Sequence, residues 1–434
     1  MTDLDRRRFL RNAGLAGAGA LAGAGTLGAS VAGGATTSTS GQDTTSDALL
    51  KDGAPGDPSV ADPGALMAAI PFHGANQAGI TTPRQPSGCW ASFNVTAGSH
   101  AELIALFKTL TTEATFLTTG GTPPDPQGRY APPTDSGTLG DVVPADGLTI
   151  TVAVGSTLFD KRFGLGDRKP LRLRPMEPFP NDDLDPSQTG GDLLVQFCGG
   201  SEDTVIHALR QITKATRDGM QLNWLYEGFA SPSRPSGVGR NHFAFKDGIA
   251  NPDVSDPAVA SRLLWVQSGG QEPAWTAGGT YHAVRIIKQF IEFWDRVSIT
   301  EQQQMIGRYR GTGAPLDGKN ETDVPDFAED PAGNIIPLTA HIRLSNPRTP
   351  GTEDSRILRR GYNYNLGVDL NGNLNKGLLF NAFCQDLDRQ FVTVQKRLIG
   401  EPMVDYISPI GGGYFFALPG VRDTSDWYAS ALLS

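Results

Sequence analysis

Two segments of this 434-residue chain hold residue types that could do chemistry together. The first, 239–252, reads Gly-Arg-Asn-His-Phe-Ala-Phe-Lys-Asp-Gly-Ile-Ala-Asn-Pro and sets Asp247 immediately before Gly248 in a loop. The second carries His341, Arg343, Asn346, Pro347 and Arg348, with Arg359 and Arg360 on the strand-like stretch that follows. A carboxylate can accept and return a proton, a guanidinium can stabilise developing negative charge, and a neutral imidazole can ligate a metal. Singly, each has a plainer reading. Asp-Gly is a common turn signal, and a lone histidine is more often a buried hydrogen-bonded residue than a ligand. Three cysteines, Cys89, Cys198 and Cys384, are too few and too scattered for a disulfide framework, an iron–sulfur site or a Cys-x-x-Cys-His haem attachment. Any haem would therefore be held non-covalently. None of the six histidines pairs with a cysteine or another histidine at zinc-ligand spacing, which leaves room for a single-histidine metal centre.

The chain is long enough to bury a large core and support an enzyme. Apolar residues make up 38% and charged residues 19%, and 53 Gly with 31 Pro point to a loop-rich globular protein, not a coiled coil or membrane bundle. The net charge of −9 argues against a nucleic-acid partner, since phosphate neutralisation needs clustered Lys and Arg and the longest basic run is Arg6-Arg7-Arg8. That run opens an Ala/Gly/Leu stretch without charge from Ala13 to about Ala35, and together they resemble a twin-arginine export signal. Its weakly apolar middle is too soft for a stable membrane span. Twin-arginine export moves folded proteins, so residues 1–35 imply a chain that receives a cofactor in the cytoplasm and works in the periplasm or outside the cell. Residues 36–63, rich in Ser, Thr, Asp, Gly and Pro, read as a flexible linker.

The elements that must position the chemistry follow in two similar runs. A strand at 89–97, a helix opened by the Ser99/Glu102 capping box, strands at 149–154 and 193–198, a helix at 202–215 and a strand at 222–229 give βαββαβ. A strand at 282–290, a helix from Ser298/Glu301 to about Tyr309, strands near 357–364 and at 378–383, an amphipathic helix at 387–398 and a strand at 413–418 repeat it. The fold class is therefore α+β, two ferredoxin-like βαββαβ halves of the dimeric α+β barrel type, at 64–235 and 236–434. Three irregular stretches, 118–142, 167–190 and 241–256, are long enough to be functional loops.

Several motifs, in order, resemble the dye-decolorizing peroxidases, in particular their exported iron-uptake deferrochelatase/peroxidase branch. They are Pro71-Phe72-His73-Gly74, the run 77–83, Arg162-Phe163-Gly164-Leu165, the run 190–196, Lys246-Asp247-Gly248, His341-Ile342-Arg343 and the Gly-rich 409–420, so the likeness spans about 68–430. It implies a haem peroxidase with one non-covalent haem b per chain, bound in the C-terminal half, using hydrogen peroxide and a small reducing substrate. It also implies a link to other components of a ferrous-iron uptake system and a homo-oligomer, with a dimer favoured. Carried over residue by residue, His341 becomes the proximal iron ligand, Asp247 the distal acid/base and Arg359 the distal cation. Gly248, Ile249, Ala250, Asn346, Pro347 and Arg348 become haem-lining residues. Asp405 becomes the acid on the far nitrogen of the proximal histidine, with Asp386 and Asp388 as competitors. One departure stands out: the family's Gly-x-x-Asp-Gly is Ala244-x-x-Asp247-Gly248 here, which costs about 1 kcal/mol if the position needs positive φ.

Three function classes survive. The first is peroxidase activity toward dyes, phenolic donors or Fe(II); the second is release of iron from haem with the porphyrin intact; the third is non-catalytic haem binding, which the presence of both Asp247 and Arg359 disfavours. Copper oxidase and zinc hydrolase chemistry is disfavoured by the lack of histidine clusters. Trp224, Trp265, Trp275 and Tyr414 are candidate electron relays, although packing is the commoner role for such residues.

Overall fold

Strands β2 (Thr149–Gly155) and β3 (Leu193–Gly199) are buried at every position, because both of their faces are covered. In β1 (Ser87–Val95), Trp90 faces one apolar cluster while Cys89, Ala91 and Phe93 face another. The computed structural model describes residues 66–434, a single compact unit Leu66–Ser434. The export segment 1–35 and linker 36–63 expected from the sequence lie outside the described residues.

With β4 (Met220–Phe229), β5 (Thr280–Gln289), β6 (Leu358–Arg359), β7 (Tyr362–Val368), β8 (Leu374–Cys384) and β9 (Ile407–Ala417), these strands form one nine-stranded sheet ordered β5-β9-β2-β3-β1-β4-β7-β8-β6. A further β5–β8 pairing closes it on itself. The two halves share one antiparallel internal order, β4-β1-β3-β2 in the first and β9-β5-β8-β7 in the second, with the two-residue β6 also paired to β8. The halves join by β2–β9 and β4–β7, so the second strand of each half pairs with the fourth of the other. This is the ferredoxin-like duplication that the element order implied. Trp90, Leu194, Val284, Ile286, Tyr362 and Phe415 belong to one core cluster, while the larger cluster packs the opposite strand faces against α1 (His100–Thr119) and α2 (Glu202–Ala215). Ser99 Oγ caps the helix by accepting from Glu102 N at 3.2 Å, and Glu102 Oε2 reaches back to accept from Gly98 N at 2.7 Å, one residue before the N-cap.

The second half departs from the periodic reading in four places. Helix α3 (Ile299–Ile306) stops short of Tyr309, because Gly307 turns left-handed at φ 91°. The stretch around His341, given no element from the sequence, is a single helical turn, α4 (His341–Ser345). The expected strand 357–364 is broken at Arg360 and Gly361 into β6 and β7, both paired with β8. The expected helix 387–398 begins as a π-helical turn, Asp388–Val392, before α5 (Thr393–Arg397).

Ala244 sits at φ 66°, in the left-handed region, within a tight turn where Asn241 Oδ1 accepts from Phe243 N at 3.1 Å. The side chain therefore strains the backbone at the position where the family pattern has glycine. Ala244→Gly should raise the free energy of unfolding by about 1 kcal/mol, measured as a higher urea midpoint at unchanged slope. An unchanged or lower midpoint would show that the turn carries no such strain.

Candidate active site

The Asp247 loop and β6 are held together by a two-point clamp that sequence reasoning missed. Asn251 Nδ2 donates to the Arg359 carbonyl at 2.8 Å, and Arg359 N donates back to Asn251 Oδ1 at 3.1 Å. The clamp fixes both backbones, and Arg359 Nη1 then donates to Asp247 Oδ1 at 3.0 Å. The two side chains keep 26% and 20% of their surface accessible, so the pair is neither sealed nor freely solvated. Behind it, Lys246 is paired with Glu321, and Glu321 Oε1 accepts from Val238 N at 2.8 Å, tying the loop to the segment after α3. Gly248 has φ 109°, and a Cβ built there would meet nothing closer than 3.9 Å, so glycine is required by the backbone and not by crowding.

These residues border a cavity with about 1650 Å³ of non-atom space, its open mouth included. Asp247, Gly248, Ile249, Ala250, His341, Asn346, Arg348 and Arg359 all line it. Pro347 does not; it lies between two lining residues. Apart from Asn181, the lining comes from residues 241–409, within the C-terminal half.

His341 opens α4, and its Nδ1 hydrogen-bonds Glu401 Oε2 at 2.7 Å. Among the described residues its Nε2 has no hydrogen-bond partner, and the ring keeps 26% of its side-chain surface accessible beside the cavity. Burial disfavours charge on this ring, but the Glu401 carboxylate more than offsets it and holds the imidazole above its ordinary range. The acid on the far nitrogen is therefore Glu401 and not Asp405. Asp405 is exposed, turned out by the 3₁₀ segment Pro402–Tyr406, whereas Glu401 is 4% exposed at the start of that segment. The two competitors are engaged elsewhere: Asp388 pairs with Arg174 at 2.7 Å, and Asp386 lies 3.5 Å from Arg172.

The remaining lining fits an apolar macrocycle with an anionic edge. Leu378, Phe380, Phe391, Val394, Leu398 and Met403 supply apolar walls. Arg348 and Arg356 both line the cavity; burial and the neighbouring Arg356 charge push the Arg348 guanidinium down, and Arg348 makes no hydrogen bond among the described residues. Arg356 Nε and Asn346 Oδ1 are buried without partners. Arg308 is likewise pushed down to about 10 by burial and by Arg348 and Arg359. Adjacent, incompletely satisfied cations beside an apolar slot suit two neighbouring carboxylates, and a carboxylate-backed imidazole with a free nitrogen suits an iron ligand. The residues present thus fit a haem.

The comparisons agree with this geometry. The family model "Dyp-type peroxidase, N-terminal" matches residues 77–230, and "Dyp-type peroxidase, C-terminal" matches 239–422. The chain is 49% identical over 380 residues to the deferrochelatase of Escherichia coli strain K12, covering 87% of this chain and 90% of that protein. The deferrochelatase of Shigella flexneri serotype 5b is 48% identical over 380 residues, with the same coverage of 87% and 90%. Among solved structures, the DyP-type peroxidase of Cellulomonas bogoriensis superposes with a TM-score of 0.76 at 33% identity, covering 86% of this chain and 100% of its own. Ferric DtpA of Streptomyces lividans gives 0.76 at 29% identity, covering 86% and 99%. With both family models matched in order and a relative 49% identical over most of the chain, the chain belongs to the Dyp-type peroxidase family and is a haem peroxidase.

Proposed function

We propose that one non-covalent haem b occupies the cavity, with His341 on its iron and Asp247 and Arg359 acting on hydrogen peroxide. The observation that carries this reading is the Asp247–Arg359 contact of 3.0 Å in the same cavity as an imidazole whose outer nitrogen is free and whose inner nitrogen is held at 2.7 Å by Glu401. A bound haem would supply the two electrons that reduction of peroxide requires. Cleaving the O–O bond also requires one proton to move from the inner to the outer oxygen, and positive charge where the outer oxygen leaves as an anion. Asp247 accepts and returns that proton. Arg359, fixed through its own backbone by Asn251, places its guanidinium beside the same carboxylate, where it offsets the charge of the leaving oxygen. Glu401 holds the His341 ring in one orientation and tautomer and increases its basicity. Electrons are restored by a small reducing substrate, for which we propose dyes, phenolic donors or Fe(II).

A second reading is favoured by one observation, the 49% identity to a protein named deferrochelatase. On that reading the chain also releases iron from haem and leaves the porphyrin whole, within a ferrous-iron uptake system, and acts as a homo-oligomer, most simply a dimer. Incubating the haem-loaded protein with a reductant and an Fe(II) chelator separates the two: iron release gives red protoporphyrin fluorescence equal to the haem lost, while a peroxidase alone gives none. Export by the twin-arginine route to the periplasm or beyond is also proposed, on the Arg6-Arg7-Arg8 segment. Full-length protein confined to the cytoplasm would contradict it.

A further inference from the structure

The irregular segment 167–190 of the first half reaches the cavity through Asn181. Asp183 N donates to the Pro409 carbonyl at 2.9 Å and Asp182 Oδ2 accepts from Phe179 N at 2.9 Å, so the segment is pinned to β9 and folded back on itself. Asp182 is paired with Arg285 of β5, and both side chains are 1% exposed. The Arg285 guanidinium also stands 5.2 Å from the Phe179 ring centroid. A cation held in this way is fixed before anything binds to it.

The ion pair leaves Arg285 incompletely satisfied. Its Nε and Nη1 are buried without a hydrogen-bond partner among the described residues, and Arg285 lines the cavity. Four residues along the same strand, Gln289 is 3% exposed and lines the cavity too, and its Oε1 is buried and likewise unpartnered. Buried polar atoms are ordinarily satisfied, so unmet donors and an unmet acceptor on one cavity wall call for a ligand that supplies their complements. Alternate side chains share a strand face, and residues 285, 287 and 289 all line the cavity. Ile287 lies between the polar ends, with its partners Leu378 on β8 and Pro409 on β9 beside it, and Phe380 pairs with Arg285. A strand advances about 3.3 Å per residue, which sets the two polar ends roughly 13 Å apart along an apolar floor. The charges that weigh most on Arg308 and Arg348 belong to their own cluster and not to Arg285, so this strip is separate from the cations set against the haem carboxylates.

We infer that the β5 strip is a donor subsite beside the cofactor, taking an elongated aromatic acid with its carboxylate on Arg285, its conjugated body over Ile287 and its hydroxyl donating to Gln289. Guanidinium–carboxylate contacts are charge-assisted, and an aromatic body suits a floor of Ile, Leu and Phe side chains. The subsite rests on the peroxidase reading and names the donor class for it: phenols carrying a carboxylate at the far end. Two such donors each lose one electron and the phenolic O–H proton per peroxide. The peroxide O–O bond breaks, takes up both electrons and both protons, and leaves as two waters.

The test is isothermal titration calorimetry of the haem-loaded protein at pH 7, without peroxide, against 4-hydroxycinnamate, its uncharged methyl ester, and cinnamate, which lacks the hydroxyl. The parent should bind 4-hydroxycinnamate at least about tenfold more tightly than the ester and about two- to tenfold more tightly than cinnamate, the worth of a charged and of a neutral hydrogen bond. Gln289→Leu leaves the ion pair intact; it should lose the preference over cinnamate and keep the preference over the ester. Arg285→Met alone would leave Asp182 buried and unpaired, so it is combined with Asp182→Asn. That double variant should lose the preference over the ester at unchanged haem content. Equal binding of acid and ester by the parent, or parental preferences in either variant, overturns the subsite. Loss of haem from the folded double variant overturns it as well, since Arg285 would then serve the cofactor's own carboxylates. A parent that binds 4-hydroxycinnamate but does not oxidise it when peroxide is added overturns the peroxidase reading and the donor role, while the binding strip stands.

Discussion

His341→Ala should purify without stoichiometric haem and should not regain it when haem is supplied. No other histidine lines the cavity, so no substitute ligand is at hand. Changes one shell out from a metal ligand typically cost about 10–100-fold in affinity, and loss of the ligand itself should cost more. The fold should survive, because His341 lies on a single helical turn outside the three apolar core clusters. Far-ultraviolet circular dichroism should match the parent, and free imidazole should partly restore haem binding by filling the emptied position. A histidine-ligated haem spectrum in His341→Ala without added imidazole would show that the ligand lies elsewhere.

Arg359→Leu and Asp247→Asn should both keep haem and both react slowly with peroxide. A positioned proton carrier contributes about 10²–10⁴ in rate and one fixed electrostatic donor about 10²–10³. The ranges overlap, but the structure gives a reason to rank them. Water can stand in for a proton carrier in a cavity with an open mouth, whereas the Arg359 guanidinium is placed by a backbone clamp that no solvent molecule reproduces. Arg359→Leu should therefore be at least as damaging in kcat/KM for peroxide. Because the two side chains touch at 3.0 Å, their effects should not add in the double variant.

Much of the architecture was legible because each half is written in regular alternation and capping. β2 and β3 are largely apolar runs, broken only by Thr149, Thr151 and Gln196, and Ser99/Glu102 and Ser298/Glu301 cap the helices they announced. The places that resisted are those where local periodicity yields to the site. The stretch Ile-Leu-Arg-Arg-Gly-Tyr-Asn-Tyr at 357–364 reads as one strand only near its end, and the break at Arg360 and Gly361 leaves Arg359 in its own two-residue strand beside Asn251. The proximal acid illustrates a different limit. Asp386, Asp388, Glu401 and Asp405 are all within chain reach of the same region, and only the turn before Pro402 decides that Glu401 faces inward and Asp405 outward. A carboxylate directly before a proline, where extended backbone is favoured, was the one signal available for it. Arg285, Arg308 and Arg356 come to the cavity from separate elements, and no spacing in the sequence unites them. Ala244 was legible as a departure from the family pattern, and its φ of 66° gives that departure a physical meaning.

The most direct test is stopped-flow absorbance of haem-loaded parent, Asp247→Asn and Arg359→Leu proteins mixed with excess peroxide, following the first change in the haem spectrum. The parent should react in proportion to peroxide concentration, and each variant should be slower by about 10² or more at equal haem content. Parental rates in both variants would contradict the assignment of Asp247 and Arg359 to peroxide cleavage.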